Sequence, residues 1–546
     1  MRKKANALRK GEKMKVLAII PARGGSKGIP NKNIRLLGNH PLVYYAIHNA
    51  MTSKYITDIL VSTDSVEVAT IAGKMGVAVK MRNPKLAGDD VTLDAVVHDA
   101  AGDYDVDYVV TLQPTSPTLS VETLDAAIAY CMENRLDTVI SAINAPHLAW
   151  KEDNGRKVPA YEKRLNRQYL PPYYVETGAF VISRKDAVKE NTRIGKKVDI
   201  YEVSEREAID IDTFLDFKSA ECILKSYKVA IYVNGNSKRG MGHVHRALEL
   251  ADEFSVKPDI YYDMNQTDRL IFGDTTHNLI GVNGIVELFS RIKQEQYEIF
   301  INDILTTSID YMIGLKTCLP NARIINFEDD GEGILKADLI INALYDSVEL
   351  PQMYAGEKYY IAPKLFLCYP PVSIKQKVER VFISFGGSDP QNYTDRILKI
   401  IRKAKYEKYR FEVVLGKAKH NAAQLAEQYG GCGNITLYHD IKNMPEIMSM
   451  CDIGITSRGR TGYELAILGI PTIAMAQNKR EEKHGFVCNE NGFSYLGLNP
   501  SDYMLEATLD IYLQMDAAER KRLQDTLLGH DLRNGRKRIM SLIDGM

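Results

Sequence analysis

Residues 16–33 read VLAIIPARGGSKGIPNKN: an apolar run from Val16 to Ile20 stops at Pro21 and opens into a segment holding three glycines and three cations. The run reads as a buried strand. Directly behind it, Gly24, Gly25 and Gly28 let backbone N–H groups approach a polyanion closely, while Arg23, Lys27 and Lys32 supply fixed positive charge. A triphosphate fits that combination. A solvated surface turn is the plainer alternative, but so many cations and glycines behind a buried strand speak against it. The segment is not the GxxxxGK[ST] phosphate loop, although it follows the same electrostatic logic.

Outward from this loop, the chain to about Ser226 alternates β-branched runs (DILVST, VDYVVTL, DTVISA, AFVIS) with stretches of helical spacing, which predicts a doubly wound α/β unit. A fresh strand, VAIYVNG from Val229, then leads into a second glycine-rich turn, and VFISFGG opens a third strand–turn–helix series after Pro370-Pro371. The expected organisation is a disordered extension over 1–14, a Rossmann-like doubly wound domain over 15–226, and two further Rossmann-like lobes over 227–372 and 373–546 with a cleft between them. The basic start resembles that of a signal peptide, but the apolar run after it is too short, and an upstream start codon is the alternative reading.

The 546 residues suit about three or four folding units of ~150 residues. Lys plus Arg equals Asp plus Glu at 70 each, so no global basic excess draws the chain to nucleic acid or anionic lipid. No apolar run nears the ~18 residues that a membrane span needs. Seven scattered cysteines with no CxxC pair form neither a disulfide framework nor a zinc site and suit a reducing, cytoplasmic setting. Further on, Asp210 and Asp212 lie two apart, so on an extended segment both carboxylates face one side and can share a hard cation, magnesium being the natural occupant. As an isolated pair they would read as a helix N-cap with a second exposed acid.

With these blocks in order, and with VSTDS, MRNPKLAGDD, LQPTSP, KRLNRQYLPPYYVETGAF and DIDT following the first loop, the first part resembles the acylneuraminate (CMP-sialic acid) cytidylyltransferase family over Val16 to Ser226. The resemblance implies that Arg23, Ser26, Lys27, Lys32 and Asn33 contact CTP, that Arg82 lies near its cytosine and ribose, and that Gln113 contacts a sugar acid. Arg164 and Arg167 are candidates to clamp the substrate carboxylate. Lys27, Asp210 and Asp212 are the catalytic candidates, the two acids holding Mg2+. Thr177 stands where the family commonly has Asn, beside the sugar. GSKGIP is the sialic-acid-like form of the loop and favours N-acetylneuraminate, its deaminated analogue or legionaminate; Kdo and pseudaminic acid are the alternatives. A homodimer is implied.

In the second part, NGNSKRGMGHVHRALELADEF sets His243 and Arg246 at a helix start behind a strand, which places an imidazole at the mouth of an interlobe cleft. His243 or His245 alone would read as a polar residue of a first turn. With FEDDG, NALY, SFGGSDP and SRGRTGYELAILGIPTIAMAQN, this part resembles the PseG/SpsG-like UDP-sugar hydrolases related to GT-B glycosyltransferases. The resemblance implies that His243 activates water at the anomeric carbon. Amides near Gly386, Gly387 and Ser388, and near Thr461 and Gly462 at a helix N-terminus, would hold the diphosphate, Glu464 the ribose, and Gly242 would also line the UDP-sugar site. SRGRTG departs from the usual Gly-Gly-Ser-Thr run, so Arg458 and Arg460 add phosphate charge or mark another nucleotide sugar. A non-catalytic nucleotide-sugar-binding module is the alternative for this half.

Overall fold

The protein is described from a computed structural model, which covers residues 14–25, 28–88, 90–235, 242–345, 350–439, 441 and 443–545. Ser26, Lys27 and all of the expected extension except Met14 lie outside the described residues; Met14 packs against the first core. The chain divides into two compact units, Met1–Ser226 and Tyr227–Met546.

The first unit is built on a seven-stranded sheet of β1 (Val16–Pro21), β2 (Asp58–Thr63), β3 (Ala78–Met81), β4 (Tyr108–Leu112), β5 (Thr138–Asn144), β6 (Tyr174–Arg184) and β7 (Val198–Glu202), in the order β7-β5-β6-β4-β1-β2-β3. Helices cover both faces, which is why β1 is an unbroken apolar run. Val16, Ala18 and Ile20 pack on one core with Val43, Ile47 and Leu124, while Leu17 and Ile19 pack on another with Val97 and Ala100. The sheet is not wholly parallel. β6 runs antiparallel to β4 and β5, because β5 is followed by a hairpin (Trp150–Asp153 with Arg156–Pro159) rather than a crossover helix, and a parallel return needs the crossover. A register shift between Glu176 and Val181 interrupts β6, and Gly178 there has φ +73°, a conformation that favours glycine.

The second unit holds two parallel sheets. Strands β8 (Val229–Val233), β9 (Asp259–Asp263), β10 (Asn278–Val282), β11 (Ile299–Asp303), β12 (Arg323–Phe327), β13 (Leu339–Asn342) and β14 (Met353–Ala355) lie in the order β10-β9-β8-β11-β12-β13-β14. Strands β15 (Arg380–Ser384), β16 (Arg410–Leu415), β17 (Ile435–His439), β18 (Ile453–Ser457), β19 (Thr472–Ala476) and β20 (Phe493–Leu498) lie in the order β17-β16-β15-β18-β19-β20. Both orders reverse beside their first strand, the switch point where doubly wound sheets open a crevice at the carboxyl ends of their strands. One boundary is corrected. The second lobe does not keep everything from 373 to 546, because Ile539 and Ile543 of the last helix, Gly535–Asp544, join the core of the first lobe with Val229, Ile231 and Ile299. Arg536 fastens that helix to Glu249, Glu253 and the carbonyl of Ala362. Among the described residues no helix is long and apolar enough to cross a membrane.

Candidate active sites

In the first unit, the loop after β1 is folded over the carboxyl edge of the sheet. The Gly24 amide donates to Asp64 Oδ1 (2.7 Å), Asn33 Nδ2 donates to the Arg23 carbonyl (2.8 Å), and the Ala22 amide donates to the Ser62 carbonyl (2.9 Å). Asn33 therefore ties the loop closed through its side-chain amide. Arg82, at the end of β3, is fixed by Ser62 through Nε to Oγ (3.1 Å) and Nη2 to the carbonyl (2.8 Å). Burial lowers the Arg82 pKa, with Asp64 opposing the shift and Arg23 adding to it, so Arg23, Asp64 and Arg82 form one charged group.

Against this loop lies the acidic segment. Ile211 is buried and its amide donates to the Thr115 carbonyl (2.8 Å), which leaves the residues on either side of it, Asp210 and Asp212, to face the solvent. Lys32 Nζ donates to the Ile211 carbonyl (2.6 Å) and to Asp212 Oδ1 (3.2 Å). Gly28 abuts the same segment so closely that a Cβ would stand 2.4 Å from the Asp212 carbonyl oxygen. At Gly178 a Cβ would stand 3.1 Å from Gln113 Nε2 and 3.3 Å from Asp210 Oδ2, so Gln113 and Asp210 flank one backbone turn. Partial enclosure in this crevice pushes the Asp210 carboxyl up, and the neighbouring Asp212 and Asp216 add to it.

Arg23, Lys32, Asn33, Arg82, Gln113, Asp210 and Asp212 thus gather round one crevice. Three other expected residues have partners of their own. Arg164 and Arg167 lie on an exposed loop with Tyr161 (3.4 Å) and Glu205 (3.4 Å) as partners. Thr177 is buried, and its hydroxyl donates to Ser141 Oγ (2.9 Å), which also accepts from the Phe180 amide. Instead of facing a sugar, Thr177 pins the irregular turn that presents Gly178. Asp64, which holds the Gly24 amide, was not singled out from the sequence; a carboxylate at the carboxyl end of the strand beside β1 is the signal that could have found it.

In the second unit, a cleft of about 440 Å³ lies between the two switch points, lined by Gly242, His243, Gly387, Ser388, Arg460 and Thr461 among others. Helix α1 (Gly242–Ala251) begins on the first-lobe side, and α2 (Arg460–Ile467) on the second. His243 is 9% exposed, and its Nδ1 lies 2.7 Å from Asp303 Oδ1 at the end of β11. Arg246, one turn along α1, donates through Nε to Asp303 Oδ2 (2.7 Å) and through Nη2 to Oδ1, and its Nη1 lies 3.2 Å from Glu328 Oε1. Glu328 has φ +51° and accepts from the amides of Ala343 (3.1 Å) and Leu344 (3.2 Å). Burial works to raise the Asp303 carboxyl, but Arg246 and the His243 hydrogen bond prevail and hold it at about 2. Burial lowers the His243 pKa, the Asp303 hydrogen bond resisting. The result is a neutral imidazole whose Nδ1 is engaged by a buried carboxylate and whose Nε2 remains for the cleft.

On the other wall, Asp389 caps the helix after the glycine turn by accepting from the Tyr393 and Thr394 amides (2.9 Å each). Buried Lys419 joins it (3.0 Å) and Asp395 (2.7 Å), which fixes the Gly386–Ser388 segment from behind. Two expected contacts are corrected. The Gly462 amide already donates to the Gly459 carbonyl (3.1 Å), and a Cβ there would stand 2.7 Å from Val487, so this glycine serves helix packing. Glu464 lies one turn behind Arg460 and away from the cleft lining, where burial pushes it up to about 7 against the charge of Arg460. Asp303 and Lys419 were not legible as site residues, because an acid ending a strand and a lysine in a loop are ordinary until the fold sets them beside His243 and Asp389.

Each unit therefore sets glycine turns and charged side chains at the carboxyl edge of a doubly wound sheet, the arrangement of nucleotide-handling α/β enzymes. The cytidylyltransferase family model matches residues 17–237. The chain belongs to that family: it is 32% identical over 223 residues to the post-translational flagellin modification protein B of Campylobacter coli, covering 95% of that protein with 38% of its own length. It is 34% identical over 214 residues to an N-acylneuraminate cytidylyltransferase of Streptococcus agalactiae, covering 52% of that protein with 37% of its own length. Similarity across both units, 23% over 484 residues, extends to a Helicobacter pylori pseudaminic acid cytidylyltransferase and UDP-2,4-diacetamido-2,4,6-trideoxy-beta-L-altropyranose hydrolase, with 85% of this chain and 88% of that one covered. The chain spans about half the length of the first curated relatives it matches, 50% for an N-acylneuraminate cytidylyltransferase of Danio rerio.

Proposed function

We propose that the first unit transfers CMP from CTP to the 2-hydroxyl of a nonulosonic acid, releasing pyrophosphate and a proton. The observation that carries this reading is the closure of the glycine and cation loop onto the acidic segment, with Gly28 against the Asp212 carbonyl and Lys32 on Asp212. Arg23 and Lys32 bind the phosphates, Arg82 orients the nucleoside end, and Gln113 receives the sugar acid beside Gly178. Asp210 and Asp212 are the residues that would hold Mg2+. They fit a hard cation because both are carboxylates on one side of an extended segment, open to solvent. Bound there, the cation would neutralise phosphate oxygens and make the α-phosphorus more electrophilic.

N-acetylneuraminate, its deaminated analogue and legionaminate are the acids favoured by Gly28. Pseudaminic acid is the second reading, favoured by the similarity that runs through both units to the Helicobacter pylori protein. Pyrophosphate release from CTP and Mg2+ across a panel of these acids and Kdo tests the reading; no release with any of them, under conditions where CTP binds, would overturn it.

For the second unit we infer hydrolysis of a UDP-sugar. The His243–Asp303 pair supports it, since an imidazole with Nδ1 held by a carboxylate and Nε2 left for the cleft is suited to take a proton from water. UDP release from a 2,4-diacetamido-trideoxyhexose nucleotide that disappears in His243→Ala is expected. Tight binding with no release would instead make this unit a nucleotide-sugar-binding module.

A further inference from the structure

Arg460, the first residue of α2, lines the cleft and forms no hydrogen bond or ion pair among the described residues. Its neighbours are otherwise engaged. Arg246 is paired with Asp303 and Glu328, and Arg458 lies 4.0 Å over the Tyr495 ring and donates to the Glu482 carbonyl (3.1 Å). The Arg460 side chain reaches across to the first lobe, where a Cβ on Gly242 would stand 2.9 Å from its Nε and 3.2 Å from its Cζ. It therefore lies on the first turn of α1, which carries His243 and His245. Asp303 engages Nδ1 of His243, and His245 lines the cleft with no hydrogen bond among the described residues. A guanidinium, an imidazole and Nε2 of a second imidazole thus converge; of the acids whose charge acts on this guanidinium, Asp303 and Glu328 are already met by Arg246, and Glu464 sits one turn further along α2, away from the cleft lining.

Such a cluster calls for an anion. The geometry points to Arg460 as the residue that binds the sugar-bearing phosphate of a nucleoside diphosphate sugar, an assignment that rests on the UDP-sugar reading above. The Gly387–Ser388 turn and the first turn of α2 at Thr461 belong to the second lobe and suit the nucleoside-side phosphate. The phosphate beyond it, toward His243, meets Arg460. When the water oxygen bonds to the anomeric carbon, His243 Nε2 takes the water proton. The bond from that carbon to the bridging oxygen breaks, and its electron pair stays on the departing β-phosphate, whose growing charge Arg460 stabilises.

Calorimetric titration of the full chain with uridine, UMP and UDP tests this. The wild type is expected to bind UDP well above UMP. R460Q should lose roughly tenfold to a hundredfold in UDP affinity, as for a charge-assisted hydrogen bond, with uridine and UMP changed less than about twofold. R460K should recover part of the loss, and thermal unfolding of both variants reports whether they fold. R460Q binding UDP like the wild type overturns the assignment and leaves hydrolysis standing. Equal losses for all three ligands in both variants also overturn it, since the side chain would then shape the cleft instead of meeting a phosphate. A wild type that binds no UDP overturns the assignment together with the reading beneath it.

Discussion

Replacing Asp303 with Asn keeps the shape of the His243 partner while removing its charge. In the wild type the carboxylate, held at about 2, is ionised at every working pH and accepts from Nδ1 of His243 at 2.7 Å, which fixes the tautomer with Nε2 as acceptor. An Asn amide can instead donate to Nδ1, turning the ring into the tautomer whose Nε2 carries a proton and cannot act as a base. Loss of general-base catalysis is worth roughly 10²–10⁴-fold, so kcat for UDP release should fall by about that factor, with KM changed far less. Arg246 keeps Glu328 (3.2 Å), so the cost of opening the buried pair should sit near the lower end of the range for such pairs, about 3 kcal/mol. The pH profile supplies the sharper signature. His243 is depressed by burial, and Asp303 is the group that resists. Activity requires the neutral ring, so it falls as pH drops through the His243 pKa. Without Asp303 that acid limb should move to lower pH even as the plateau falls. A D303N enzyme with wild-type kcat, or with its acid limb displaced upward, would refute the reasoning.

Three further outcomes follow from the geometry. Asp210→Asn or Asp212→Asn should lower CMP transfer by roughly two to three orders of magnitude, measured as pyrophosphate release, with UDP binding by the second unit unchanged. Gly28→Ala would drive a methyl to 2.4 Å from the Asp212 carbonyl and should cut CMP transfer at least ~10-fold through displacement of that segment, as judged by activity at saturating CTP. Glu464→Gln should raise the melting temperature at pH 8 and leave it unaltered near pH 4. The folded pKa, about 7, lies above the unfolded one, so folding takes up a proton between roughly pH 4.5 and 7 and the wild type loses stability as pH rises through that window.

The parts legible in the sequence were those whose physics is local. Val16–Ile20 alternates between two cores, so it had to be apolar throughout, and the glycines and cations behind it sit in the same short segment that the chemistry needs. The reversed direction of β6 depends on a hairpin taking the place of a crossover helix, which the AFVIS run does not encode. Ile539 and Ile543 mark an apolar stripe on the last helix, but a stripe does not say which lobe it will cover. Thr177 and Glu464 look like site residues in their motifs. Whether such side chains face a ligand or a neighbouring strand is set by a bulge in one case and by helix phase in the other. Asp303 and Lys419 carry no local mark, since each acquires its role only when the fold sets it beside a distant partner, His243 for Asp303 and Asp389 for Lys419.

The two candidate sites carry opposite charge arrangements, and on the functions proposed above this separates their dependence on metal ions. Among the described residues of the first unit, Arg23, Lys32 and Arg82 stand with Asp64, Asp210, Asp212 and Asp216, and Lys32, one of the two cations assigned to the phosphates, also pairs with Asp212. A triphosphate entering that crevice adds charge of the sign already present, so the carboxylates become useful only with a cation between them and the phosphates. In the second unit Glu328 is neutralised by Arg246, and Arg460, Lys417 and Arg480 line the cleft against Glu481 alone. A diphosphate bound there, as proposed, would be met by side chains of the chain itself. Chelation should therefore abolish CMP transfer and spare UDP release, with Mg2+ restoring the first; loss of both activities to a chelator, and recovery of both by the ion, would show that the cations lining the second cleft do not suffice for its leaving group.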